Sequence, residues 1–367
     1  MTKKIRVVVT GVGGGGHGHE IVKALRLAER YHLIGVDMVE SSFGLFDVDE
    51  SYTVPPASDS HYMGILLDIC QQRKAKVLVH GSEPELKVIS RNRDALLKAG
   101  VLPLINSYEV IERCMDKWAT IVFLREQGFN LPNSRLAHTE REIPRSFPLP
   151  AVIKPAIGGG GSNNTFVVQD VDELEFGCRY LVRQGKVALL QEYVGTGEDE
   201  YTVGVLSTLD GELVGSIALR RYLLSGLSNR IQIPNRTGRR DLSPTLAISS
   251  GISQGTIDEY PEVRRVCERI AETLYSRGPI NIQCRFVDGK LYPFEINPRF
   301  SGTTYIRALM GFNEPDMLIR HHLLGEKLPS PVRYRFGKVV RGLVERCVTD
   351  FQTVPPWKNK FDKTGHG

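Results

Sequence analysis

The segment PINIQCRFVDGKLYPFEINPRFSG, residues 279–302, restricts the fold more than any other stretch of this 367-residue chain. Its first half alternates apolar Ile280, Ile282, Cys284 and Phe286 with polar Asn281, Gln283 and Arg285. Its second half alternates Tyr292, Phe294 and Ile296 with Pro293, Glu295 and Asn297. Period-two patterning of this kind belongs to paired strands with one face in a core. Both apolar sets carry even numbers, so they share a face only if paired residue numbers sum to an even value. A two-residue turn at Asp288-Gly289 gives an odd sum and puts Gln283 and Glu295 on opposite faces. A three-residue loop, Val287-Asp288-Gly289 with the glycine in a left-handed bulge, keeps them together and is the expected form. Pro293 donates no ladder hydrogen bond and calls for an edge or bulged position.

The polar face of that hairpin gathers Gln283, Glu295 and Asn297. Three oxygen-bearing side chains with one charge suit a hard divalent cation that keeps waters and phosphate oxygens as its other ligands, as magnesium does at a nucleoside triphosphate. An ordinary solvent-facing strand pair carries the same residue types, so support must come from elsewhere. AVIKPAIGGGGSNNTFVVQD supplies some: Lys154 ends an apolar strand, and Gly158, Gly159, Gly160, Gly161 and Ser162 lead into another. Glycine backbones approach phosphate oxygens closely, and the lysine adds a compact charge. Here the lysine precedes the glycines and a strand follows them, so this is not a GxxxxGK[ST] loop. A β-hairpin lid over a triphosphate is expected, with a ligand-free hairpin as the plainer alternative. QEYVGTGEDEYTV offers a hinge at Gln191, Glu192, Tyr193 and Val194, whose backbone can read an adenine edge, and a carboxylate, Glu200, for ribose hydroxyls. An acidic loop has the same composition. Lys117, beside Trp118, reads in isolation as a solvated helix lysine.

Around these motifs the chain is α/β. Strands over Ile5–Thr10, His32–Val36, Ala75–Val79 and Val101–Ile105, separated by helical stretches such as Glu20–Arg30, predict a parallel sheet. Ser107–Gln127 reads as one long helix stopped by Gly128. Strands follow at 151–154, 165–169, 187–192, 201–207 and 212–220, with a helix at 171–184. An irregular polar stretch then runs to about 256, before a helix over Tyr260–Arg277. TDFQTVPPWKNKFDKTGHG reads as a loosely attached tail. With 41% hydrophobic residues the chain is not disordered. A net charge of +5 without a basic stripe argues against a nucleic-acid partner. No apolar run approaches the roughly 18 residues of a membrane span, and MTKKIRVVVTG reads as a first strand rather than a signal peptide. A cytoplasmic location follows, and the six cysteines, without a CxxC pair, read as reduced buried thiols. TGVGGGGHG places Gly11, Gly13 and Gly16 in GxGxxG register, with Asp37 ending the next strand, so an NAD-dependent dehydrogenase is a second hypothesis. His17 and His19 are expected in that loop, with substrate contact as the alternative.

Taken together, NIQCRF…PFEINPRFSG, the lysine–glycine hairpin and the hinge resemble the ATP-grasp superfamily, most closely a single ATP-grasp half of the carbamoyl-phosphate synthase large chain. The resemblance covers roughly residues 5–325. It implies a Rossmann-like domain over 1–106, ATP-grasp subdomains over 107–190 and 191–347, and a tail over 348–367. It also implies that Gln283, Glu295 and Asn297 hold two magnesium ions, for which manganese can substitute, with Arg299 against the phosphates. By the same resemblance Lys117 and Lys154 hold the α- and β-phosphates of ATP, Gly159 to Ser162 close over them, Gln191 to Val194 bind adenine and Glu200 the ribose. The chain has one copy rather than a tandem pair, no regulatory C-terminal domain and no ammonia-producing module, and lysines stand where the synthase has arginines. The implied reaction is therefore the general one: ATP phosphorylates a small-molecule carboxylate, and an amine or ammonia attacks the acylphosphate. A catalytically silent ATP-binding relative is the remaining alternative. A homodimer is one allowed assembly. In SIALRRYLLSGLSNRIQIPNR, alternation lets only one of Arg220 and Arg221 face the cleft; Arg221 is chosen, as a clamp on the substrate carboxylate, while solvated surface charges are the alternative for both and for Arg230.

Overall fold

The structure, a computed structural model, describes residues 4–13, 16–158, 162–348 and 353–358. Its first unit is a five-stranded parallel sheet in the order β3-β2-β1-β4-β5, built from β1 (Ile5–Thr10), β2 (Tyr31–Asp37), β3 (Glu50–Thr53), β4 (Val77–Val79) and β5 (Leu102–Pro103). Runs such as Val7-Val8-Val9 are buried throughout because helices cover both faces of a parallel sheet. Those helices are α1 (His17–Leu27), α2 (Tyr62–Gln72), α3 (Glu83–Arg91) and α4 (Arg93–Lys98). His17 and His19 lie in the first turn of α1, not in the glycine loop as expected.

The single helix expected over Ser107–Gln127 is two: α5 (Tyr108–Met115) and α6 (Lys117–Glu126). Asp116 breaks it. Its backbone is extended and its carboxylate caps α6, accepting from the N–H of Trp118 at 2.9 Å and of Ala119 at 3.0 Å. A four-stranded antiparallel sheet follows in the order β6-β9-β7-β8, from β6 (Ser134–Ala137), β7 (Ala151–Pro155), β8 (Phe166–Val168) and β9 (Ala188–Glu192), with α7 (Val171–Arg183) on one face.

The third sheet contains β10 (Glu200–Ser207), β11 (Leu213–Arg221), β14 (Gly255–Ile257), β15 (Pro279–Val287), β16 (Lys290–Asn297) and β17 (Gly337–Val339), ordered β16-β15-β10-β11-β14-β17. The stretch expected to be irregular folds into a hairpin of its own, β12 (Asn229–Pro234) with β13 (Thr245–Ser249). Helix α8 (Pro261–Thr273) backs the large sheet, while α9 (Thr304–Leu309) and α10 (Glu314–Leu324) pack against α1.

The β15–β16 hairpin meets the parity requirement by a different device from the one expected. Val287 pairs with Lys290 across a two-residue Asp288-Gly289 turn whose φ angles, 49° and 72°, are both left-handed. The register then shifts: Cys284 pairs with Pro293, but Gln283 pairs with Glu295, leaving Phe294 as the extra residue of a bulge. Pro293 sits beside that bulge on an edge strand, where its missing donor costs nothing. Below the bulge Leu291, rather than Tyr292 or Phe294, joins Ile296 in the core.

One hydrophobic core runs without interruption from the parallel sheet (Val7, Val9, Leu33) through Leu206 and Ile217 of the large sheet to Phe300 and Leu318. The four-stranded sheet has a separate core around Ile153, Leu174 and Leu190. The described part of the tail is fastened rather than loose: Thr53 N–H donates to Pro355 O and Trp357 N–H to Thr53 O, both at 3.0 Å. Trp357 packs edge-on against Tyr52 and donates its indole N–H to Asp68 at 2.8 Å. Five cysteines are buried as expected, and Cys347 is exposed.

Candidate functional site

A cavity of about 290 Å³ opens between the four-stranded sheet and the hairpin face of the large sheet. Lys117, Lys154, Ser162, Gln191, Glu192, Tyr193, Val194, Glu200, Arg221, Gln283, Glu295, Asn297 and Arg299 all line it. Gly159, Gly160 and Gly161 lie outside the described residues.

Each side chain reaches the cavity for a local reason. The break at Asp116 puts Lys117 in the first turn of α6, where its N–H bonds Ala156 O at 3.0 Å and its Nζ donates to Gly158 O at 2.5 Å. Lys154, 7% exposed at the end of β7, donates to Gln191 Oε1 and to Phe294 O, each at 2.9 Å. Burial lowers its pKa to about 8, against the opposing pull of Glu295 and Glu200. Burial alone would raise the Glu295 carboxyl; Lys117, Lys154, an Asn297 hydrogen bond and Arg299 hold it below the usual carboxylate range instead. Asn297 Nδ2 donates to Glu295 Oε1 at 3.2 Å, and Arg299 Nη2 bridges Asn297 Oδ1 at 3.2 Å and Glu83 Oε1 at 2.9 Å. Two lysines and an arginine therefore converge on one carboxylate.

Arg221 departs from the expected clamp. It faces the cleft, unlike Arg220, which bonds Glu198 at the surface, and unlike exposed Arg230. Its terminal nitrogens are already engaged, Nη1 with Gln283 Oε1 at 3.2 Å and Nη2 with Ser250 O at 2.7 Å, and it pairs with Glu200 at 3.4 Å. It holds Gln283 and Glu200 in place and offers no free fork to a carboxylate.

Two contributors went unread in the sequence. Arg285 lies over the Tyr193 ring at 4.2 Å, donates to Val194 O at 2.9 Å and pairs with Glu200 Oε2 at 3.1 Å, so it braces the hinge from beneath. Its signal was parity, since it shares the polar face with Gln283. Asn281, also on that face, lines the cavity and accepts from Thr202 at 2.9 Å and from Arg307 at 2.6 Å. Arg307 forms a fully buried ion pair with Glu314 at 3.1 Å, and a Cβ at Gly204 would come within 2.2 Å of its guanidinium.

The site fits a metal-bound nucleotide. Glu295, Gln283 and Asn297 offer only hard oxygen donors, the set that magnesium takes, and each amide oxygen already bonded to an arginine keeps a second lone pair. Arg221 Nε and Arg299 Nε are buried around the cavity without a hydrogen-bond partner, and Glu200 Oε1 has only its ion pair with Arg221, as expected of groups that complete their hydrogen bonds on a ligand. Gly14 and Gly15 of the GxGxxG stretch lie outside the described residues, and its described part does not favour a dinucleotide. Asp37 accepts from Gly13 N–H at 2.8 Å and from Val39 N–H at 3.1 Å, so the carboxylate that would read a ribose is tied to its own loop.

Residues 114–303, just over half of the chain, match the ATP-grasp domain family. The chain belongs to the ATP-grasp superfamily. Its first unit matches the PylC-like N-terminal domain over residues 9–105. The ATP-grasp chain is 28% identical over 225 residues to the carbamoyl phosphate synthase large chain of Thermoanaerobacter sp. (strain X514), an alignment covering 59% of this chain and 19% of that one. It is 23% identical over 337 residues to the C-terminal section of the large chain from Aquifex aeolicus (strain VF5), covering 85% of this chain and 56% of the other. The chain thus spans about a fifth of the first of these relatives. Among solved structures, the L-amino acid ligase of Bacillus licheniformis superposes with a TM-score of 0.61 at 17% identity, covering 88% of this chain and 74% of that one. N5-carboxyaminoimidazole ribonucleotide synthetase from Thermotoga maritima gives 0.57 at 18% identity, covering 90% and 78%. These likenesses carry the ATP-grasp fold.

Proposed function

We propose that this chain is an ATP-dependent carboxylate–amine (or ammonia) ligase acting through an acylphosphate. The observation that carries the reading is the convergence of Lys117, Lys154 and Arg299 on Glu295 in one cavity, beside a hinge braced by Arg285. Phosphoryl transfer needs positioning and charge neutralisation rather than a protein nucleophile. In this reading Gln191 to Val194 hold the adenine, Glu200 the ribose, and Lys117 and Lys154 the phosphates, with Gly159 to Ser162 as the lid. Gln283, Glu295 and Asn297 hold two magnesium ions, which supply charge neutralisation at the phosphate oxygens. A substrate carboxylate oxygen attacks the γ-phosphorus, the bond to the β–γ bridging oxygen breaks, and ADP leaves. Arg299 offsets the charge on the transferring group. The amine nitrogen then attacks the acyl carbon, inorganic phosphate departs with the bonding pair, and the nitrogen loses a proton. The carboxylate and the amine enter where Gly16, His17, Ser250, Gly251, Ser253 and residues 301–303 line the cavity.

The test is ADP release from MgATP across a panel of carboxylates, with and without amines, and with hydroxylamine as a trap. Carboxylate-dependent ADP release with hydroxamate formation is expected. ADP release without any trapped acyl group would refute the acylphosphate, and NADH binding in preference to MgATP would refute the ligase class.

A further inference from the structure

In the C-terminal segment beyond β17, Arg341 reaches three segments that adjoin the cavity lining, two through its side chain and one through its backbone N–H. Arg341 Nη2 donates to Glu20 Oε2 at 2.7 Å in the first turns of α1, and to Gly302 O at 2.5 Å in the loop after the hairpin. Its own N–H donates to Gln254 Oε1 at 3.1 Å, and Gln254 O in turn accepts from Tyr222 N–H at 2.9 Å. Gly16 and His17 precede Glu20 on α1, Ser253 precedes Gln254, and Gly302 lies between Ser301 and Thr303; all of these but Glu20 and Gln254 line the cavity. Two of the three segments, 250–254 and 301–303, are irregular backbone that no ladder holds in register. Glu20 is buried, so its carboxylate needs cationic partners, and Arg341 and Lys23 are the two it has among the described residues.

From this geometry we propose that Arg341 is a positioning residue for the acyl substrates: its side chain clamps the first turns of α1 to the 301–303 loop and thereby sets which carboxylate or amine the site takes. The proposal rests on the ligase reading for its substrate. Arg341 touches none of the nucleotide-side groups, so its effect separates from that of the phosphate and metal residues.

The experiment compares Arg341→Met, which keeps the stem and removes the donors, with Arg341→Lys, which keeps one charged donor. In the ADP-release assay the methionine variant should raise the half-saturating concentration of the carboxylate or amine that the panel identifies about tenfold or more, the scale of losing charge-assisted hydrogen bonds. MgADP affinity should stay within about twofold, and the lysine variant should recover part of the loss. Backbone hydrogen exchange of the ligand-free full-length chain should quicken at 16–22 and 301–304 in Arg341→Met, and remain unchanged over 134–192. A purely structural role would lower MgADP affinity and the affinity for the carboxylate or amine together and speed exchange throughout; that result overturns the proposal. So does unchanged saturation by the carboxylate or amine, or unchanged exchange at 16–22 and 301–304. If no carboxylate in the panel elicits ADP from the wild type, the ligase reading fails, while the exchange measurement still decides whether the clamp exists.

Discussion

The proposed role of Lys154 against the phosphates makes nucleotide affinity depend on pH in a calculable way. Its Nζ is buried against two neutral acceptors, Gln191 Oε1 and Phe294 O, and desolvation brings its pKa down to about 8. A triphosphate beside it favours the ammonium and restores a pKa at or above the ordinary value of about 10.4. A group whose pKa rises on binding favours the complex below its free pKa, and that contribution is lost as pH rises through it. The dissociation constant for MgATP should therefore be flat to pH 7, about twofold weaker at pH 8 and about tenfold weaker at pH 9. Binding at pH 8 should take up roughly half a proton per nucleotide. Isothermal titration in buffers of differing ionisation enthalpy reads both quantities. Lys154→Met should bind more weakly at every pH and show neither the slope nor the proton uptake. A wild type with constant affinity from pH 7 to 9, or a methionine variant that keeps the slope, would refute the assignment of the titration to Lys154.

Three further outcomes follow from the packing. Glu295→Ala should cut ADP formation by about 10²-fold or more with little change in thermal stability, because it removes the carboxylate that faces Lys117, Lys154 and Arg299; ADP-release kinetics beside a melting curve check this. Arg307→Met alone should cost about 3–5 kcal/mol by stranding Glu314, whereas Arg307→Met with Glu314→Leu should be near neutral, a contrast that urea denaturation resolves. Asp116→Ala should cost about 1 kcal/mol as a lost helix cap and also weaken MgATP binding by releasing Lys117, so denaturation and nucleotide titration should both move.

The alternation of residues 280–297 made the hairpin readable, and parity alone required Gln283 and Glu295 to share a face. Parity does not say where the extra residue goes. The Asp-Gly pair favours a two-residue left-handed turn, and that local preference places the bulge at Phe294, five residues beyond the expected bulge glycine, Gly289. The α5–α6 break was legible in principle, since an aspartate before Lys-Trp-Ala is a cap signal, but the continuous apolar stripe hid it. The β12 strand also showed its alternation, in Asn229–Pro234, under a composition that reads as loop. The engagement of Arg221 and the bracing by Arg285 depend on which side chains the sheet order β15-β10-β11 places side by side, and no local pattern encodes that. Arg341 meets Glu20 across more than three hundred residues, and Trp357 meets Asp68 across nearly as many. Contacts of that separation leave no trace in periodicity or spacing.

The continuous core shared by the parallel sheet and the large sheet decides which part of the molecule can swing. Separating those two sheets would uncover Val9, Leu206, Ile217, Phe300 and Leu318 together, and the segment that carries Val354 and Trp357 back to β3 ties the same two parts a second time. The four-stranded sheet brings its own core and meets the rest through a small apolar cluster, Val152 and Val167 against Ile233, Leu246 and Ile248, and through polar contacts such as Lys154 with Phe294 O, Ser162 with Ser249 O and Gln169 with Pro234 O. Opening the cavity is least costly when that sheet pivots about residues 127–133 and 193–196, parting only the small cluster and the polar contacts, with the rest of the chain as its stator. Nucleotide entry and acceptor entry then use different doors: the first depends on the pivot, and the second is framed entirely by the part that stands still.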